Sequence, residues 1–312
     1  MCEHTGGAHL HTIRDVDNAA IALIHRLGGF ATTQQLLTVI TRQQLDVAVR
    51  RGDLTRLWRG VYGLTTPDLV GRLQALDLFL GTPAVACLGT AARLYGFDTE
   101  NTTAIHILDT GARVRPTVGL MVHQRAGAPL QRVSSRLATS PAWTAVEIAR
   151  QLSRPRALAT LDAALHSVRC TPDELARAVL DQRGRRGIVD VRALLEHADG
   201  RAESGMESEA RLAMIDRGLP KPELQYEIHG FNGELWRSDF AWPEAMVCAE
   251  YESIEWHAGR AEMLRDKKRF AGIQQCGWTV IPIVSSDVRV NQAEFTDRIA
   301  HHLSTASRHK IA

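Results

Sequence analysis

Asp239, Glu250 and Glu252 occupy one short stretch whose apolar runs read as two strands separated by Trp242, Pro243 and Glu244. A turn centred between Glu244 and Ala245 sets Asp239 across from Glu250. Glu252 then shares a face with Glu250, because strand side chains alternate with period two. Three carboxylates gathered this way repel one another unless a cation sits among them, and a divalent ion with oxygen ligands is a common solution. The same spacing also suits a solvated strand face carrying scattered acids. His257 follows Trp256 in a polar loop, a position that suits proton transfer as well as a surface or packed histidine.

These residues need elements to position them. A helix-period stretch follows the two strands and places Asp266 on the side of Met263, Phe270 and Ile273, with Arg269 as its i+3 neighbour. An acid on that inward side needs a partner. Lys267 and Lys268 suit a solvated helix face or contacts to phosphate. A third apolar run, from Thr279 to Val284, completes a hairpin, helix and strand order. Upstream, Ser204 and Glu207 have the spacing of a capping box, which explains Glu207 as readily as a role in chemistry does.

This order of an acidic helix, Asp239, Glu250 with Glu252, His257, Asp266 with Arg269, and Gly277 with Trp278 resembles the very-short-patch-repair-like branch of the PD-(D/E)XK nuclease superfamily over residues 203–304. The helix opening at Ser204, Gly205, Met206, Glu207 and Ser208 fits the likeness, as does Asp239 followed by Phe240, Ala241, Trp242 and Pro243. The resemblance implies a restriction-endonuclease-like mixed sheet flanked by helices. It also implies Mg²⁺ or Mn²⁺ held by Asp239 and Glu250, polarising a DNA phosphodiester and activating water. Glu207, Glu252, His257 and Asp266 would complete the catalytic set, with Lys267 and Arg269 on phosphate. The chain departs from that pattern in three places. Glu252 and Ser253 stand where relatives read Asp-Gly, the strand of Glu250 lacks the usual lysine, and Val280 to Ile283 lacks an arginine.

A second chemistry-bearing region lies near the N-terminus. Ala20, Leu23, Ile24 and Leu27 share a helical face that ends at Gly28 and Gly29, and a short helix after Thr33 is expected to bury Leu36, Leu37 and Ile40. A third helix opens at Thr41 with Gln44 in capping-box spacing, buries Leu45, Ala48 and Val49, and ends at Gly52. Leu54 to Tyr62 reads as a strand, a turn and a strand. Three helices with a hairpin make a winged helix-turn-helix. On that reading Arg42 and Gln43 meet base edges, Arg50 and Arg51 meet phosphate, and Arg56 and Arg59 sit on the wing. A small helical domain whose exposed faces are arginine-rich is the alternative. The segment resembles the N-terminal domain of AbiEi antitoxins and related transcriptional regulators, on the phrases GGFATTQQL and RRGDLTRLWRGVYGL.

Between these regions the pattern predicts a scaffold without a catalytic constellation: a helix over Leu73 to Leu80, a small-residue helix over Ala84 to Leu94, strands at Ile105 to Leu108 and Gly119 to His123, then helices from Pro141 onward. His106 and His123 can meet across the two strands. The layout resembles the middle segment of the same antitoxin regulators, which implies packing, dimerisation or contact with a partner toxin.

The chain is thus expected to be an α/β, multi-domain (α+β) protein, divided at 15–66, 67–200 and 203–304. With 312 residues and 45% hydrophobic content it has material for sizeable cores. The net charge of +2 is unevenly spread: residues 42–59 hold five Arg against two Asp. Five widely separated cysteines suggest neither a disulfide framework nor a zinc pattern. The absence of a signal-like segment or a bilayer-length apolar run leads to the expectation of a cytoplasmic protein with no membrane partner. Two functions follow from these readings. One is a Mg²⁺-dependent endonuclease acting on double-stranded DNA. The other is a non-catalytic DNA-binding regulator or antitoxin with a degenerate nuclease fold, a toxin partner and a homodimeric form among its expected associations.

Overall fold

A computed structural model describes residues 18–109, 111, 115–252 and 260–309. The first helix, α1 (18–26), buries Ala20, Leu23 and Ile24 and stops at Gly28 and Gly29, both with positive φ. Strand β1 (Phe30–Thr32) leads into the single turn α2 (Thr33–Leu36), followed by α3 (Arg42–Arg51) and the hairpin β2 (Thr55–Trp58) and β3 (Val61–Gly63). The three strands form a sheet in the order β1-β3-β2, closing the arrangement of a winged helix-turn-helix. Its core gathers Ile24, Leu36, Ile40, Leu45, Ala48 and Leu54.

Two expected core positions do not enter it. Leu27 is 41% exposed and Leu37 is 42% exposed. Both lie where the helix has ended, so the 3.6-residue period that implied burial no longer sets their direction. Strand β1 went unread because a three-residue strand becomes recognisable through its partner, here β3 with Thr32 opposite Val61.

Helix α4 (Leu69–Leu80) follows, and its Arg72 carbonyl accepts from the Trp58 indole N–H at 3.1 Å. A five-stranded sheet comes next, in the order β6-β5-β4-β8-β7, made from β4 (Val85–Ala86), β5 (Ile105–Leu108), β6 (Leu120–His123), β7 (Leu130–Val133) and β8 (Arg136–Thr139). The helix expected over Ala84 to Leu94 begins later, as α5 (Leu88–Tyr95), because Val85 and Ala86 pair with Leu108 and Ile107. Arg136 ties this region to α4 through an ion pair with Asp77.

The chain divides into two units: residues 1–90 with 103–139, and residues 91–102 with 140–312. In the second, α6 (Pro141–Ala149), α7 (Arg154–His166), α8 (Pro172–Asp181) and α9 (Ile188–Leu194) precede α10 (Gly205–Asp216). Helices α7 and α10 are joined by an ion pair between Asp162 and Arg211, 2.5 Å apart with both side chains 1% exposed. Asp162 also accepts the Asp199 backbone N–H at 2.8 Å.

The rest of this unit is a four-stranded mixed sheet, order β12-β11-β10-β9, built from β9 (Glu223–His229), β10 (Leu235–Trp242), β11 (Val247–Glu252) and β12 (Thr279–Val284). Helix α11 (Arg260–Gln275) connects β11 to its parallel neighbour β12, and α12 (Ser285–Arg289) and α13 (Gln292–His309) follow. Phe240, Trp242, Val247, Ala249 and Ile283 pack with Ala210, Met214, Val288, Phe295 and Ile299 on one face. Ala241, Cys248 and Trp278 pack with Ile273 of α11 on the other. The molecule is therefore a multi-domain α+β protein. No helix among the described residues is long and apolar enough to cross a membrane.

Candidate functional site

The hairpin register decides which carboxylates meet. Phe240 pairs with Ala249, Ala241 with Cys248 and Trp242 with Val247. One step further along this register Asp239 faces Glu250. Glu250 shares the parity of Cys248, on the face toward α11. Asp239 sits where the alternation of β10 breaks, since Trp236 packs on the α11 face and Phe240 and Trp242 on the other. Glu250 is buried, whereas Glu252, at the end of β11, is exposed.

Asp239 is held by polar contacts on both oxygens. The Tyr251 N–H donates to Oδ2 at 2.8 Å, and the Gln225 amide donates to Oδ1 at 3.5 Å. The same amide donates to Glu207 Oε2 at 3.0 Å, so Gln225 links two carboxylates. Gln225 has φ +53°, and it is the position opposite Asp239 that the β9–β10 pairing skips. Sequence reading missed it, since an amide within an ordinary strand pattern carries no signal for a break in the pleat.

Glu207 serves the helix as well. Its N–H donates to the Ser204 hydroxyl at 3.1 Å, and its carboxylate accepts from the Glu203 N–H at 3.0 Å, satisfying two groups at the start of α10. Glu203 in turn pairs with Arg237 at 2.7 Å. These two residues were also missed, their pairing being visible only once β10 lies beside the N-terminus of α10.

Arg269 projects from α11 and forms an ion pair with Glu250 Oε2. It also donates to the Arg237 carbonyl at 3.4 Å. Lys267 is exposed on the same helix. His257 lies outside the described residues, as does the side chain of Asp266.

The electrostatics follow from burial. Glu207 titrates above its ordinary range because burial penalises its anion, with the charge of Asp239 adding to the shift. Asp239 is raised by burial, against the Tyr251 N–H and the Gln225 amide. Glu250 is raised by burial in spite of Arg269, with Asp239 and Glu252 pushing the same way. Desolvation thus outweighs the single ion pair. Glu250 Oε1 is buried and has no hydrogen-bond partner among the described residues.

The carboxylates do not fit a divalent ion while this arrangement holds. Arg269 already places a full positive charge on Glu250, both Asp239 oxygens are engaged, and Glu252 points into solvent. Among the described residues no three His, Cys, Asp or Glu side chains group as a metal-ligand set.

The winged helix presents a different surface. Arg42, Gln43, Arg50, Arg51, Arg56 and Arg59 are all exposed. Thr41 caps α3, accepting the Gln44 N–H at 3.3 Å while its own N–H donates to Gln44 Oε1 at 2.7 Å. Gly52 ends the helix at φ +82°, with Arg50 and Arg51 in the last turn. Capping thus fixes both ends of the element that carries four of the six polar side chains. In the five-stranded sheet, His106 and His123 do meet, with ring nitrogens 2.9 Å apart and rings stacked at 5.1 Å.

Comparison with known proteins places a family over the middle of the chain. Residues 84–197 match the AbiEi antitoxin C-terminal domain. This segment holds the five-stranded sheet and helices α6 to α9, and it contains none of Glu203, Glu207, Asp239, Glu250 and Glu252. Two relatives from Mycobacterium tuberculosis, described as "Uncharacterized protein MT2308" (strain CDC 1551 / Oshkosh) and "Uncharacterized protein Rv2248" (strain ATCC 25618 / H37Rv), are each 70% identical over 267 residues, covering 86% of this chain and 98% of the relative. With identity of that level running through nearly the whole of both relatives, the chain belongs to the same family as these two mycobacterial proteins.

Proposed function

We propose that the protein is a DNA-binding regulator of the antitoxin type, acting with a toxin partner. The match of residues 84–197 to an antitoxin domain carries this reading. The exposed arginines of the winged helix supply the contact to DNA. Arg42 and Gln43 open α3 and are placed to read base edges, while Arg50, Arg51, Arg56 and Arg59 neutralise phosphates. On this reading the C-terminal sheet is a nuclease-like scaffold whose acids serve structure.

The experiment has two arms on the purified full chain. In the first, binding to duplex DNA is compared for wild type and Arg42→Ala/Arg50→Ala. The double variant is expected to bind more weakly, and unchanged affinity would remove α3 from the interface. In the second, supercoiled plasmid is incubated with Mg²⁺ or Mn²⁺ and either wild type or Asp239→Asn. Equal background in both is expected. Cleavage by wild type that disappears in Asp239→Asn would replace this reading with that of a metal-dependent endonuclease using Asp239 and Glu250.

A further inference from the structure

The acidic cleft presents an electrostatic problem at Glu250, whose carboxylate is buried. Glu250 is 4% exposed, and Asp239, beside the Phe240–Ala249 pair on the neighbouring strand, accepts the N–H of Tyr251 at 2.8 Å. Two carboxylates so placed must either hold a proton or have a cation between or beside them. Arg269 meets that need for Oε2 of Glu250, leaving Oε1 buried and unpartnered among the described residues. The open oxygen means that the arginine compensates the cleft only in part.

Two features make Arg269 a built occupant. Its guanidinium reaches both Glu250 and the carbonyl of Arg237, so it spans β10 and β11 as a divalent ion bound between the strands would. It also belongs to α11, whose Ile273 is fully buried against the same sheet face, which fixes the helix from which it projects. A guanidinium is permanently charged, so Arg269, itself 37% exposed, brings a fixed positive charge onto the buried Glu250.

We infer that Arg269 is the resident cation of this cleft, standing in the place of a divalent metal, so that Arg269 and an oxygen-seeking divalent ion are mutually exclusive occupants. With Arg269 in place, a second positive charge beside Glu250 is repelled. With it removed, the freed Oε2 and Oε1, which has no hydrogen-bond partner among the described residues, lose their counter-charge and join the remaining lone pairs of Asp239 as a more anionic donor set. This inference does not depend on DNA binding or on the antitoxin reading.

The test is Mn²⁺ binding, followed by titration calorimetry and by the electron paramagnetic resonance of the ion, on the full-length chain. Wild type is expected to leave the Mn²⁺ signal unchanged. Arg269→Gln is expected to bind Mn²⁺ at least about tenfold more tightly than wild type. Adding Asp239→Asn or Glu250→Gln to that variant is expected to abolish the gain. Arg269→Lys retains the charge and is expected to behave as wild type does. Circular dichroism checks that each variant is folded. A folded Arg269→Gln that binds no Mn²⁺ would overturn the inference. So would Mn²⁺ binding by wild type that is lost in Glu250→Gln, a result that needs no Arg269 variant to fold.

Discussion

Glu207 meets two demands with one carboxylate: it accepts the Glu203 N–H at the start of α10 and the Gln225 amide from β9. The Ser204 cap on its N–H was legible in the spacing, but the carboxylate reaches the Glu203 N–H in place of that of Ser204, so half of the expected capping box forms. Its link through Gln225 to Asp239 was not legible, because Gln225 is brought there by a break in strand pairing. Since burial raises the Glu207 pKa, the folded chain keeps a proton that the unfolded chain has already lost. The associated stability is fully present below the ordinary glutamate range and is lost as pH rises through the raised value. Glu207→Gln cannot ionise, so its stability relative to wild type should grow across that climb. Denaturant unfolding at several pH values measures it, and a pH-independent difference would contradict the burial of this carboxylate. The Asp162 and Arg211 pair makes a second residue-scale prediction. Arg211→Met leaves Asp162 buried and uncompensated, at a cost of about 3–5 kcal/mol. A loss below about 1 kcal/mol in urea would show that the pair is dispensable.

At the scale of elements, helix α3 was readable because its signals are local: Thr41 and Gln44 at one end, Gly52 at the other, and Leu45 with Ala48 on the buried face. Thr41→Ala removes the acceptor for the Gln44 N–H and should cost about 1 kcal/mol, seen as a lowered thermal midpoint. No change would mean that water replaces the cap. Strands β1, β4 and the β7–β8 hairpin were missed for the opposite reason. Val85 and Ala86 have no pattern of their own and are a strand only by pairing with Leu108 and Ile107. Three of the four residues of β7, Leu130, Gln131 and Arg132, are exposed, so the strand lacks the clean alternation of a half-buried element.

On the scale of the whole molecule, the basic surface of the winged helix and the antitoxin-matching segment give the chain its functional reading. If Arg50 and Arg51 each neutralise one phosphate, Arg50→Ala/Arg51→Ala should reduce the slope of log affinity against log salt by about 2. An unchanged slope would move the phosphate contacts elsewhere. The sequence by itself determined the helix caps, the hairpin turn that sets Asp239 opposite Glu250, and the two-helix approach to an arginine-rich third. All of these are encoded by residues a few positions apart, through backbone hydrogen bonding and side-chain period. Only the tertiary structure decided which charge answers Glu250. Arg269 looked in the sequence like a helical neighbour of Asp266 with a phosphate to contact. The packing of α11 on the sheet instead brings its guanidinium onto Glu250, since burial of that carboxylate demands a counter-charge from whichever element lies across the face.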